Sequence, residues 1–379
     1  MKRKICVVVT ARASYSRIKT ALTVIHQHPH LTLQLVLSGS ATMDKYGSII
    51  EQVASDGFNM MATFSNVHES DPVATISQSM IDVTGFFKHH TPDLVVTIAD
   101  RFETIATALA ASLLNIPLVH IQGGEVSGNI DNRIRNAVTQ LADYHFVATE
   151  SAHNRVIELG AKSNQVFNTG CPSIDIALNI LSTSDQYNTP FITPEGGLKK
   201  IDLNAGFVVV MQHPVTTEYP DAQKQVQETL SALEALQLPT LWFWPNADIG
   251  TQELSSTLWS YQEQNPDSCI QFVKNLDADQ FLILLKKSLC LIGNSSVGIR
   301  ECSCMGIPVV NIGTRQNGRE RANNVLDVPY HAHSILEAIK FQIGHGHYPP
   351  ASIYGNGNAG TYIADILSHL PISPLHYGY

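Results

Sequence analysis

Positive charge is scarce in this chain. Its 24 Lys and Arg stand against 33 Asp and Glu, a formal net charge of -9. Affinity for a phosphate backbone comes from clustered Lys and Arg, so no nucleic-acid partner is expected, although a single arginine can still meet an anionic ligand locally. Long apolar runs are missing too: none reaches the roughly 18 consecutive residues of a spanning helix, and no membrane partner is expected. The start, MKRKICVVVTARASYS, is basic, but only seven residues separate Lys4 from Arg12, which fits a first strand better than a secretory signal. Cysteine is sparse and scattered. Cys6, Cys171, Cys269, Cys290, Cys302 and Cys304 lie mostly in apolar runs, which points to a reduced, cytoplasmic setting and not to a disulfide framework. Cys302 and Cys304 lack a second pair at zinc-site spacing, so no metal is expected.

What remains is an α/β pattern of two domains. A chain of 379 residues exceeds one ordinary core. Apolar runs at Ile5 to Val9, Leu33 to Leu37, Leu94 to Ile98, Pro117 to Ile121 and His145 to Ala148 alternate with helical patterns. Runs that are apolar throughout imply strands covered on both faces, hence a parallel, Rossmann-like sheet. The pattern loosens over residues 172 to 205, where a linker is expected. A second alternation follows, with strands at Phe207 to Met211, Thr240 to Trp244, Cys290 to Ile292 and Pro308 to Ile312. The expected division is 1–180 and 181–355, with a helix over 356–379 packing back on the first domain.

Chemistry gathers where strands end. After Ile116 to His120, the stretch HIQGGEVSGNIDNRIRN from His120 leads into a helix with Ile134, Val138 and Leu141 in register. Such connections at the carboxyl ends of parallel strands are where open α/β sheets bind ligands. Gly123, Gly124 and Gly128 let the backbone turn sharply, and Glu125, Asp131, Arg133 and Arg135 crowd charge beside them. Either this is a polar surface loop with a capped helix start, or it is a site. In the second half, Gly293-Asn294-Ser295-Ser296 runs from a strand into a helix, and an exposed helix start with adjacent hydroxyls suits a diphosphate. Glu301, expected on the same helix, can accept from both hydroxyls of a ribose. The plain alternative is an N-cap at Ser295 and a solvated Glu301. Arg12 and Ser16 follow the first strand, Asp100 and Arg101 the Leu94 strand, and His213, Asn246 and Arg315 complete a ring of polar groups at strand ends.

Assembled in order, HIQGGEVSGNID from His120, QHPVTT from Gln212, GNSSVGIRE from Gly293 and GTRQNGRE from Gly313 resemble the hydrolysing UDP-N-acetylglucosamine 2-epimerases of sialic-acid and legionaminic-acid biosynthesis, almost end to end. The resemblance implies a GT-B fold of two facing Rossmann-like domains, with the nucleotide on the second. It implies UDP-sugar contacts from Arg12, Ser16, Arg101, His213, Asn246, Ser295, Ser296, Glu301 and Arg315. Asp100, Gln122, Glu125, Asp131 and His213 are the expected catalytic set, with no cofactor. The implied reaction eliminates UDP across C1 and C2 to a 2-acetamidoglucal and rehydrates it, giving N-acetylmannosamine from UDP-N-acetylglucosamine or its analogue from a UDP-2,4-diacetamido-2,4,6-trideoxy sugar. A non-hydrolysing epimerase, a GT-B glycosyltransferase and a non-catalytic binder are the alternatives. A homo-oligomer, dimer or tetramer, is expected. The chain departs from the family at Gln122, where a glutamate is usual, at Asn132 for aspartate, at Asn136 for histidine, and at Ile98-Ala99 for His-Gly.

Overall fold

The structure, a computed structural model, describes residues 2–44, 48–65, 71–128, 130–183, 206–245, 251–273 and 276–372. Strands and helices alternate from the start: β1 (Arg3–Val9), α1 (Arg12–Gln27), β2 (Leu31–Ser38), α2 (Ile50–Ser55), β3 (Met60–Phe64), α3 (Pro72–His90), β4 (Leu94–Ile98), α4 (Thr104–Leu113), β5 (Leu118–Ile121), α5 (Asp131–Leu141), β6 (Tyr144–Val147), α6 (Glu150–Glu158), β7 (Val166–Asn168) and α7 (Pro172–Ser182). The second series runs β8 (Val208–Met211), α8 (Ala222–Leu236), β9 (Thr240–Phe243), α9 (Thr251–Gln264), β10 (Ile270–Val273), α10 (Ala278–Lys287), β11 (Cys290–Gly293), α11 (Ser296–Ile299), α12 (Glu301–Met305), β12 (Val309–Ile312), β13 (Val325–Val328), α13 (Ala332–His345) and α14 (Ala359–His369).

The chain forms two compact units. One comprises Met1–Glu125, Asp131–Ile176 and Tyr354–Tyr379; the other comprises Val126–Ile130 and Ala177–Ile353. The first unit is built on a sheet in the order β3-β2-β1-β4-β5-β6-β7 and the second on a sheet in the order β10-β9-β8-β11-β12-β13. Among the described residues every strand pairing is parallel. The period of two along β1 divides its side chains between two cores. Ile5, Val7 and Val9 join the cluster that includes Tyr15, Ile18 and Leu22 of α1, while Cys6 and Val8 join one with Phe86, Phe87 and Val138. A strand with a core on each face has no polar side, which is why its sequence reads as an unbroken apolar run. The second unit has its own core around Val208, Val210, Trp242, Phe272 and Ile292.

The tail is fixed to the first unit by close packing. A Cβ at Gly360 would lie 2.8 Å from the backbone of Thr20, so glycine lets α14 approach α1. Asp175 accepts from the N–H groups of Ala359 at 3.0 Å and Gly360 at 2.8 Å and from the Thr20 hydroxyl at 2.9 Å, satisfying donors at the start of α14.

Several expectations are corrected. The structure adds β3, β7, β10 and β13 to the expected strands. β3 has only partly buried and exposed residues, and β7 is three residues long, so neither leaves an apolar run. The expected linker is helical over Pro172–Ser182, and residues 184–205 lie outside the described residues. The tail helix spans Ala359–His369, and residues 373–379 lie outside the described residues.

Candidate functional site

In the second unit, β8 lies between β9 and β11, and the chain leaves it in opposite directions across the sheet. The crevice at such a switch point is where open α/β sheets take ligands. β11 enters it through Gly293, whose φ is +127° and whose Cβ would lie 2.1 Å from the Met211 carbonyl oxygen; no side chain fits. Next comes Asn294, fully buried. Its Oδ1 accepts from the His213 backbone N–H at 2.7 Å, and its Nδ2 donates to the His213 carbonyl at 2.8 Å and to the Tyr330 hydroxyl at 3.3 Å. Burial pushes the Tyr330 hydroxyl up to about 12, so it stays protonated. The Asn294 carbonyl accepts from Gln316 Nε2 at 2.8 Å and Arg315 Nη1 at 3.3 Å. His213, Asn294 and Arg315 thus form one bonded cluster.

Ser295 caps α11, its Oγ accepting from the Val297 N–H at 3.4 Å, and Ser296 opens the helix. The helix is shorter than expected. It ends at Ile299, Arg300 breaks the repeat with ψ near -75°, and Glu301 begins α12. A single turn carries little macrodipole, so the donors offered here are local N–H and hydroxyl groups. Glu301 is 7% exposed, and its Oε2 has no hydrogen-bond partner among the described residues. Asn246 lies outside the described residues.

In the first unit the corresponding edge carries two non-glycine residues in the left-handed region, Ala99 with φ 66° after β4 and Gln122 with φ 67° after β5. Such a conformation costs on the order of 1 kcal/mol or more and persists where surrounding bonds hold it. Here Ala99 N–H donates to Ile121 O at 3.0 Å, Gln122 N–H donates to Phe146 O at 2.8 Å, and His120 Nε2 lies 2.9 Å from Ala99 O. Burial lowers the His120 pKa to about 4 and that of its register neighbour His145 to about 3, so both rings are neutral at pH 7. A neutral His120 donates from Nε2 to Ala99 O and accepts at Nδ1 from Thr139 Oγ1 at 3.1 Å.

Beyond these bends, Arg135 of α5 ties three chain segments together. Its guanidinium makes a buried ion pair with Asp100, donates to the Glu125 carbonyl at 2.8 Å and donates to Asn132 Oδ1 at 3.1 Å. The Asp100 side chain and the Glu125 backbone are therefore brought together. Asp131, first residue of α5, is half-buried on the same helix. Arg101 pairs with the buried Glu103, 3.4 Å between Nε and Oε2. Arg12 begins α1, and the Ser16 hydroxyl turns back to the Arg12 carbonyl at 3.5 Å. Residues Val126–Ile130 pack as part of the second unit: Gly128 N–H donates to Arg315 O at 3.2 Å, and a Cβ there would lie 2.2 Å from Thr314 O.

With two parallel-sheet units and polar clusters at their strand ends, the chain matches the sequence pattern of the UDP-N-acetylglucosamine 2-epimerases over residues 23–368. It belongs to that family. It is 32% identical over 378 residues to the UDP-N,N'-diacetylbacillosamine 2-epimerase (hydrolyzing) of Legionella pneumophila, covering 98% of this chain and 97% of that protein. It is 29% identical to a UDP-N-acetylglucosamine 2-epimerase of Neisseria meningitidis serogroup B, covering 95% and 93%. Its fold is similar to that of the Methanocaldococcus jannaschii UDP-GlcNAc 2-epimerase solved with UDP-GlcNAc and UDP, with a TM-score of 0.79, 16% identity, and 97% and 100% coverage. The fold is GT-B-like, and the family read from the four motifs is borne out.

Within this family member the structure adds Arg135 as a site organiser, Asn294 as the residue holding His213, and Cys171, which accepts from Gln122. Arg135 carried a partial signal, since it lies three residues from Asn132 and four from Asp131 on one helix. Cys171 carried none. Among the described residues no group of three or more His, Cys, Asp or Glu could hold a metal ion, and no helix is long and apolar enough to cross a membrane.

Proposed function

We propose that this family member is a hydrolysing 2-epimerase of a UDP-linked 2-acetamido sugar. The observation that carries the reading is the similarity, 32% identity along almost the whole chain, to the Legionella pneumophila hydrolysing enzyme, joined to the buried Asp100–Arg135 pair at the edge of the first unit. UDP is assigned to the second unit, its diphosphate to His213, Ser295, Ser296 and Arg315, and its ribose hydroxyls to the Glu301 carboxylate. Arg12, Ser16, Arg101 and Asn246 complete the proposed contacts.

In the proposed reaction the C1–O bond breaks and UDP leaves with the electron pair. Charge growing on the diphosphate is met by N–H and guanidinium donors already held in place. A base removes the C2 proton and leaves a 2-acetamidoglucal. Water then adds, hydroxyl to C1 and a proton to C2 from the opposite face, giving the epimeric free sugar. The Asp100 carboxylate is committed to Arg135. We therefore assign the C2 proton to Asp131, with Glu125 as the further acid/base group. Gln122 cannot exchange a proton and serves by hydrogen bonding.

UDP-N-acetylglucosamine is the first sugar to test. A second reading, the UDP-2,4-diacetamido-2,4,6-trideoxy sugar, is favoured by the name of the Legionella relative. The experiment is product NMR with each sugar in deuterated water. Free UDP, the 2-epimer and deuterium at C2 are expected for the true substrate, and Asp131→Asn should abolish that deuterium. An epimer still bearing UDP would make the enzyme non-hydrolysing, UDP release that waits for an acceptor would make it a glycosyltransferase, and binding without product would make it a binder.

A further inference from the structure

Gln122 is 1% exposed, and its two polar ends differ. Nε2 donates to the Cys171 sulfur at 3.0 Å; Oε1 is buried with no hydrogen-bond partner among the described residues. Cys171 follows β7 and reaches Gln122 across the end of β6, in the first unit. Its backbone N–H is fixed to the Tyr354 carbonyl at 2.7 Å, and its sulfur lies 3.0 Å from the Ser173 hydroxyl. A thiol has one proton. If sulfur accepts from the Gln122 amide, its S–H can point at Ser173 Oγ, giving one direction of donation from Gln122 through Cys171 to Ser173. That arrangement matches an amide N–H and does not match a carboxylate, which has no hydrogen to give when ionised.

An unpaired buried carbonyl is costly, a cost relieved when a ligand brings the missing donor. Gln122 also sits in the left-handed backbone region, as functional residues do when their surroundings hold them in place. We infer that Cys171, backed by Ser173, is a positioning residue: it fixes the Gln122 amide nitrogen so that Oε1 is presented as an acceptor for an N–H or O–H of the acetamido sugar. The inference rests on the epimerase reading and explains how glutamine works at a place where an acid is usual.

The test is a double-mutant cycle on the full chain, with UDP release followed under saturating sugar. Cys171→Ala should lower kcat about tenfold, the scale of one lost orienting hydrogen bond. Cys171→Ser, whose hydroxyl also accepts, should restore most of it. In a Gln122→Ala background, Cys171→Ala should cost nothing further. Additive losses, or a serine variant as poor as the alanine one, would reduce Cys171 to packing and overturn the inference. A second readout does not need turnover. The S–H infrared band that Cys171→Ser removes should shift in Gln122→Ala. An unmoved band overturns the inference. A shifted band in a protein that releases no UDP would sustain the Gln122–Cys171 coupling and count against the epimerase reading alone.

Discussion

The side chain of Asn294 grips both backbone polar groups of His213, accepting from its N–H at 2.7 Å and donating to its carbonyl at 2.8 Å. These residues follow β8 and β11, the two strands flanking the switch point of the second sheet. The grip fixes the backbone from which the His213 side chain projects, so the imidazole is placed by a neighbouring strand as well as by its own. If that imidazole supports the departing diphosphate, His213→Ala should lower turnover by about two orders of magnitude with the fold intact, the range for losing one preorganised donor. Near-normal kcat in a well-folded variant would return His213 to a structural role.

The buried Glu301 carboxylate, with Oε2 lacking a partner among the described residues, is expected to gain partners when a ribose binds. Glu301→Ala should weaken UDP by about 1 to 3 kcal/mol, the cost of losing hydrogen bonds to a charged group. Calorimetry with UDP alone checks this, and an unchanged affinity would remove the ribose assignment.

Arg135 is 1% exposed and pairs with the nearly buried Asp100. Removing the guanidinium leaves a carboxylate in a site shaped for a cation, so Arg135→Ala should destabilise the protein by about 3 to 5 kcal/mol in urea denaturation. The double change Arg135→Ala with Asp100→Ala should recover part of that loss, because no uncompensated charge remains. A double variant weaker than the single one by the full Asp100→Ala cost would mean that the two residues are not coupled.

Burial holds His145 near 3 in the folded protein against 6.5 for the free side chain, and its Nδ1 has no partner among the described residues. The unfolded chain therefore binds a proton that the folded one refuses between those values. Stability should fall as pH drops through about 6.5, with a slope of up to about 1.4 kcal/mol per pH unit, and level off below about 3. His145→Leu should flatten the urea-midpoint profile between pH 7 and 5 by about one proton relative to wild type. Partly buried carboxylates such as Asp143, whose raised pKa acts in the opposite sense at lower pH, cancel in that comparison. An unaltered slope would show that His145 is solvated in solution.

The sequence by itself determined the class of fold and the places where chemistry gathers. Strands such as β1, β4 and β11 have cores on both faces, so their buried residues are nearly all apolar and the run is visible without neighbours. Polar residues at their carboxyl ends, among them Asp100, His213 and Ser295, follow from that same layout. Tertiary structure decided what depended on distant partners. β3 and β7 owe their existence to pairing with β2 and β6, since their own sequences carry little apolar periodicity. The break at Arg300, which separates Glu301 from the helix of Ser296, is invisible in a sequence with no Gly or Pro at that point. Arg135 finds Asp100 35 residues away, and Gln122 finds Cys171 49 residues away. Hydrogen bonds and ion pairs act over a few ångströms in space and leave no period along the chain, so only the folded sheet, by bringing strand ends side by side, could assign those partners.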